Sequence, residues 1–394
     1  MNKTTKSRML APDILKIFAT IFVVVIHHKS KAEPDFVWQY KTMHILVLGI
    51  CFAFGLYLFA KDVVRGKTSL KALLSLSLPL LAWLGFAFLK RVPVAMFLVL
   101  SSYFMSGNFL GKENAFVNWY EKGNIISRIA RFYVPFAPIF LVGLIYKIVV
   151  LHYDYSIIEV IARFFLGGFK PGSYYITILA LLVLFFPLVY YIVERYKFSG
   201  VVLCAVFSLV YDCAFSFFGW SDVAYKFLIF RFTTHIALGV YMRITNLKWK
   251  TPEAICSFVF GGIFAFLCIW TKIYRPSLFF QWKDASFPVA FFVYPIIAWF
   301  MSVFKNAEYN DSRISNFVSE LSKATYHIFL VQLLYYTTFG FVLNERIDNY
   351  FISLPLNLIV TIFLGMGYYK LICKSENAVV SKIKLLFSKN TKLR

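Results

Sequence analysis

The stretch LAPDILKIFATIFVVVIHHK, residues 10–29, decides the fold. Its length and apolar content are those of a helix that crosses a bilayer, since about 20 residues at about 1.5 Å each span the hydrocarbon layer. Yet it carries Asp13, Lys16, His27 and His28. A Lys or Asp facing lipid at mid-depth costs roughly 2.5 to 3.5 kcal/mol. The interior of a helical bundle must therefore satisfy or use these groups.

The rest of the chain agrees. Of its 394 residues, 60% are hydrophobic, and the mean hydropathy is +0.70. Apolar runs of span length recur from end to end. A lone strand would leave its backbone groups unpaired in lipid, so the spans are helices. The expected fold is all-α, a polytopic membrane bundle of about 10–12 transmembrane helices. The runs fall at 10–28, 42–60, 69–89, 92–110, 132–151, 173–193, 199–218, 225–243, 254–272, 286–304, 324–343 and 353–373.

The net charge of +22 does not point to nucleic acid, because Lys and Arg sit between the apolar runs and not along one face. With the N-terminus inside, 26 of the 41 Lys and Arg fall in inner segments, 12 in outer loops and three within spans. This is the positive-inside pattern, with both termini cytoplasmic. The chain reads as one transmembrane domain over residues 1–373, followed by a basic cytoplasmic tail at 374–394 that can rest on anionic lipid. The six Cys (51, 204, 213, 256, 268 and 373) form no paired motif, so neither a disulfide framework nor a metal site is expected. The first run contains Lys16 and no small-residue cleavage site follows it, so it reads as an uncleaved span.

Helical geometry sorts the polar groups of the first span. Lys16 and His27 are eleven residues apart, which leaves them about 20° apart around the helix and about 16 Å apart along it. Asp13 lies about 40° from His27, and His28 about 120° from Lys16. Asp13, Lys16 and His27 thus share a stripe, and His28 faces elsewhere. A stripe of this kind is either a polar face satisfied by neighbouring helices, with Lys16 snorkelling, or a functional surface.

The segment from Asp13 to His27 resembles the first-helix signature of the integral membrane acyltransferase-3 family, a basic residue followed by a His after ten intervening residues. The family more often has Arg where this chain has Lys16. Further resemblances follow in the family's order. VAMFLVLSSYFMSGNFL (94–110) is similar to its second conserved helix, matched either at Ser101-Ser102-Tyr103 or at Ser106-Gly107. ISRIARFYVPF (126–136) is similar to its RxxR segment, with Arg128, Arg131 and Pro135. GSYYITILALLVLFFP (172–187) resembles a mid-chain helix led by an aromatic pair. LSKATYHIFLVQLLYY (321–336) resembles a late helix that often ends in His, where this chain has Gln332. Residues 42–89 read as an extra helical hairpin between the first two conserved helices.

The resemblance implies transfer of an acyl group, commonly acetyl from acetyl-CoA, to a hydroxyl of a cell-surface polysaccharide or lipid-linked sugar. It implies a multi-pass protein of the cell membrane, the inner membrane in a bacterium. The residue chemistry allows the reaction. His27 can act as general base or as acyl carrier, with Lys16 and Asp13 as its companions on the stripe. Arg128 and Arg131, three apart on a helix, can hold the phosphates of acyl-CoA, or they can be plain positive-inside charge. Arg231 and His235, an i, i+4 pair expected in the eighth span, read as an acceptor site or as an intramembrane ion pair with Asp212. Tyr174, Tyr175 and Trp220 can stack on sugars or anchor the interface. Ser106 and Gly107 suit close helix packing. The alternative function is a transporter or flippase for a lipid-linked glycan. The sequence gives no oligomeric state.

Overall fold

The computed structural model describes residues 9–28, 53, 57, 92–169, 173–221, 225, 227–246, 251–264, 286–304, 309, 312–347 and 349–389. Their regular structure is helical, as the apolar runs require. The helices are α1 (Leu10–His27), α2 (Pro93–Ser106), α3 (Ala115–Tyr120), α4 (Lys122–Ile145), α5 (Ile157–Phe165), α6 (Tyr174–Tyr196) and α7 (Phe198–Phe217), then α8 (Thr233–Ile244), α9 (Thr251–Phe264), α10 (Phe287–Val303), α11 (Arg313–Tyr335), α12 (Phe339–Arg346) and α13 (Tyr350–Lys389). A π-helical turn, Tyr146–Val150, extends α4, and a 3-10 turn, Ile229–Phe232, precedes α8. Among the described residues five segments are long and apolar enough to cross a membrane: Leu10–His27, Lys122–Val150, Tyr174–Tyr196, Phe198–Phe217 and Ile352–Phe387. The chain is an all-α polytopic membrane protein.

Four boundaries differ from the hydropathy reading; one is the eleventh span, expected at 324–343, where α11 runs from Arg313 to Tyr335. α4 starts at Lys122, so Arg128 and Arg131 lie inside the helix and not before it. The eighth expected span shortens to α8 behind its 3-10 turn, so Arg231 and His235 do not share one α-helix. α13 continues through residues 374–389, so most of the expected tail is the last forty-residue helix, about 60 Å long. The expected hairpin at 42–60 and 69–89 and the end of the ninth span lie outside the described residues.

Lipid provides no hydrophobic drive between helices, so close backbone approach has to supply the contact. Glycines mark where it occurs. A Cβ on Gly239 of α8 would lie 2.3 Å from the Val99 carbonyl oxygen of α2. One on Gly365 of α13 would lie 2.5 Å from Ile328 Cα of α11, and one on Gly261 of α9 would lie 2.3 Å from Phe292 N of α10. Pro135 and Pro138 in α4, Pro187 in α6 and Pro295 in α10 are tolerated because neighbouring groups take up freed carbonyls. The Val183 carbonyl freed by Pro187 accepts from Trp119 Nε1 at 2.8 Å, and the Phe291 carbonyl freed by Pro295 accepts from Ser257 Oγ at 2.7 Å.

The largest core cluster joins α2, α4, α6, α8 and α11 around Ile176, Leu182, Phe186, Ile236 and Leu330. A second joins α1, α2 and α10 around Ala19, Ala95, Met96 and Val293. Outward-facing Leu141, Val142, Ile145 and Val149 of the α4 segment, and Leu203, Val206 and Val210 of α7, are exposed, as lipid-facing residues are. Helix directions follow from the pairing. Asp13 meets Ser322 and His27 meets Gln332, so α1 and α11 are parallel. Gly239→Ala should lower the melting temperature in detergent by several degrees, since overpacking costs typically about 1–3 kcal/mol. Gly367→Ala, whose Cβ would meet nothing within 4 Å, should leave it equal or slightly higher.

Candidate functional site

A cavity of about 170 Å³ lies inside the bundle. Its walls come from five helices: Lys16 from α1, Ser101 and Phe104 from α2, Phe132 from α4, Tyr175 and Leu179 from α6, and Thr325, Tyr326 and Phe329 from α11. Half of the lining is aromatic, because α2 and α11 each bring two rings to their inner faces and α4 and α6 one each. The first span thus does turn its ammonium group into the protein interior.

Lys16 is held there from two sides. Its Nζ lies 3.1 Å from Asp13 Oδ1 and 4.5 Å from the Phe104 ring centroid. Asp13 is 2% exposed. It accepts hydrogen bonds from Ser322 Oγ at 2.7 Å and from the Tyr309 hydroxyl at 2.8 Å. A buried carboxylate in an apolar bundle needs such donors, because desolvation alone would penalise the charge by several kcal/mol. At this end of the stripe Asp13 is satisfied by its neighbours, and Lys16 reaches a cavity.

His27 stands apart from that pair, near the other end of α1. Its Nδ1 lies 2.6 Å from Gln332 Nε2 of α11, and the same amide nitrogen is 3.4 Å from the Val23 carbonyl. Gln332 is 1% exposed, and its Oε1 has no hydrogen-bond partner among the described groups. One turn back along α11, Phe329 closes the cavity wall, so His27 lies just past the lining and not within it. The sequence marks Gln332 only as a departure from the family pattern, whereas the structure makes it the partner of His27. His28 faces elsewhere, as helical geometry requires. Its Nε2 is 3.1 Å from Ser353 Oγ and its Nδ1 3.5 Å from Asn357 Nδ2, both on α13.

The Arg pair does not act as one fork. The Arg128 guanidinium lies flat on Trp119 of α3, 3.4 Å from the ring centroid, while Arg131 is exposed. Trp119 is fixed in turn by its Nε1 donating to the Val183 carbonyl at 2.8 Å. Phe132, one residue on, lines the cavity, so the pair sits one turn from it at most.

Arg231 is 6% exposed and enclosed by aromatic rings, with centroids of Phe232, Tyr225 and Tyr174 at 4.3, 4.9 and 5.6 Å. Tyr225 donates to Asp212 Oδ1 at 2.7 Å and so links the guanidinium to that carboxylate through its ring. His235 is fully buried against Phe232, and neither of its ring nitrogens has a hydrogen-bond partner among the described groups. Tyr174 joins this cradle and Tyr175 the cavity, so the aromatic pair that leads α6 separates the two sites. Trp220 stacks on Phe218 and meets Phe215 edge-on, and Phe215 in turn packs on Tyr225 of the cradle. Ser106 donates to the Ser102 carbonyl at 2.7 Å and is buried, a packing role.

A family model described as "Acyltransferase domain" matches residues 9–369. The chain belongs to this acyltransferase family. No curated protein and no solved structure matches it. The match spans the first helix, the cavity and the first half of α13 of the membrane acyltransferase, and it carries the enzymatic reading and not the transporter one. Among its described residues no three His, Cys, Asp or Glu stand close enough to hold a metal ion.

The Asp13 geometry has a thermodynamic signature in this acyltransferase. Asp13→Ala strands Lys16 and two hydroxyls and should destabilise by about 3–5 kcal/mol, the range for breaking a buried pair. Lys16→Met leaves Asp13 with its two hydroxyl donors and should destabilise less. Thermal unfolding of the detergent-solubilised variants checks the order.

Proposed function

We propose that the protein moves a short acyl group, acetyl above all, from cytosolic acyl-CoA to a hydroxyl of a cell-surface polysaccharide or lipid-linked sugar. The observation that carries this reading is the shared scaffold of the Lys16 cavity and the His27–Gln332 pair, which use the same two parallel helices. The cavity of about 170 Å³ suits the thioester end of the donor. Its lining is mostly apolar and the charge of Lys16 is already matched by Asp13, so an uncharged acetyl group fits better than a succinyl carboxylate. Arg128 and Arg131 then meet the phosphates of CoA at the Asp13 end, which the charge bias assigns to the cytoplasm.

His27 waits at the opposite end, where an exported sugar would arrive. The acceptor hydroxyl attacks the thioester carbonyl carbon while His27 takes its proton, the C–S bond breaks, and the CoA thiolate leaves and recovers that proton. This requires a lone pair on Nε2 and therefore a proton on Nδ1. A primary amide presents either its donor or its acceptor end to the ring according to its rotation. With Oε1 turned toward Nδ1–H, the oxygen that lacks a partner gains one and Nε2 keeps the lone pair that a base needs. The Arg231 cradle, one residue along α6 from the cavity wall, is the acceptor subsite in this reading, with Tyr174 available to stack on a sugar face.

Purified protein and proteoliposomes test the assignment. His27→Ala should retain acetyl-CoA binding by calorimetry and lose acyl transfer to the glycan; normal transfer in that variant removes His27 from the reaction. Gln332→Leu should lower kcat about tenfold with little change in KM for the donor, which is about 1.4 kcal/mol and typical of one lost hydrogen bond to a reacting group. Arg128→Ala with Arg131→Ala should instead raise KM for acyl-CoA and spare kcat.

A further inference from the structure

Helix α5 was not among the expected spans, and nothing in the acyltransferase reading uses it. It starts at a capping box: Ser156 Oγ accepts from the Glu159 amide at 3.3 Å, and the Glu159 carboxylate accepts from the Ser156 amide at 3.0 Å. At about 100° per residue its nine residues sort into three faces. Val160 and Phe164 share one face and pack on the main core cluster. Glu159 and Arg163 share a second. Ile157, Ile158, Ile161 and Phe165 fill the third, an arc of about 100°, at 79, 80, 52 and 58% exposure.

That third face is apolar and no described residue covers it. Its neighbours show what does. α5 follows the end of the α4 segment, whose Ile145, Val149, Val150 and Leu151 are exposed in the same way, and Tyr153 continues the surface. The apolar face of α5 therefore extends the lipid-facing flank of a membrane-spanning helix. Tyr153 and Tyr155 stack at 5.9 Å in the linker, and the Arg163 guanidinium lies over Tyr155 and Phe169. Aromatic rings and a cation at the end of a span mark the headgroup level.

We infer that α5 is an interfacial helix, lying in the plane of the leaflet at the His27 end with Ile157, Ile158, Ile161 and Phe165 in the acyl-chain region and Glu159 and Arg163 in water. A helix with protein on one side, hydrocarbon below and water above needs three faces of this kind. The attachment to the catalytic body is rigid. The Phe165 carbonyl accepts from Tyr133 of α4 at 3.0 Å and from Thr177 of α6 at 2.7 Å. Gly167, at φ +90°, follows at once, and a Cβ there would lie 2.1 Å from the Ser173 oxygen, so the turn closes directly onto the start of α6. The depth of α5 in the leaflet therefore fixes the depth of Tyr174 and Tyr175.

The test is quenching in proteoliposomes made from the full chain. Ile158→Cys, Ile161→Cys and Glu159→Cys are each labelled with a small fluorophore, and the signal of the identically treated parent, with its native cysteines, is subtracted. Phospholipid brominated near the headgroup end of its chains should quench labels at 158 and 161 at least two-fold more than a label at 159. Aqueous iodide should give the reverse order. Iodide quenching at 158 and 161 equal to that at 159 places the face in water and overturns the inference. Protection of 158 and 161 from both quenchers means that protein covers the face, and overturns it equally. The two positions probe the same face, so a fold defect in one variant leaves the other to decide.

Discussion

One buried carboxylate sets the geometry of this enzyme. Asp13 sits in an apolar bundle where a free charge is prohibitive, and its donors come from α1 itself, from α11 and from Tyr309. Lys16 alone would satisfy it within the first helix. Ser322 and Tyr309 tie that helix to a part of the chain about 300 positions away. Once the Asp13 end of α1 is pinned beside the start of α11, two parallel helices must meet again about three turns later, and there His27 finds Gln332. The register of the reactive end is thus inherited from an electrostatic requirement at the opposite end.

The cavity follows from the same arrangement. Glycines let α2 and α8, α9 and α10, and α11 and α13 touch backbone to backbone. Where α1, α2, α4, α6 and α11 converge there is no such glycine contact, and bulky rings hold the helices apart. Close packing around the periphery and aromatic spacers at the centre leave a cavity with few polar groups. In such a place a single ammonium group has more influence than it would in water.

Much of this was legible in the sequence, for identifiable reasons. Hydropathy located α1, α6, α7 and α10 to within a few residues, because a span must be continuously apolar. The period of 3.6 placed Asp13 with Lys16 and sent His28 to another face. The sequence did not show that Gln332 would meet His27, since a pair 305 residues apart leaves no periodic trace. Nor did it show that Arg128 would lie on Trp119 and part from Arg131, because cation–π contacts depend on which helix packs alongside. α5 escaped because nine residues cannot span and so raise no hydropathy peak. The 3-10 turn at Arg231 and the long continuation of α13 are boundary effects, where hydropathy is weakest and neighbouring contacts decide.

The distance in sequence between Asp13 and its hydroxyl partners also has a meaning in time. The ribosome adds roughly 5–20 residues per second, so α1 waits roughly 15 to 60 s in the membrane before Tyr309 and Ser322 exist. Throughout that interval the ammonium one turn along its own helix is already at hand for the carboxylate. The i, i+3 pairing of Lys16 with Asp13 is thus the part of the acid's shell that the first span carries with it, before the late helices exist.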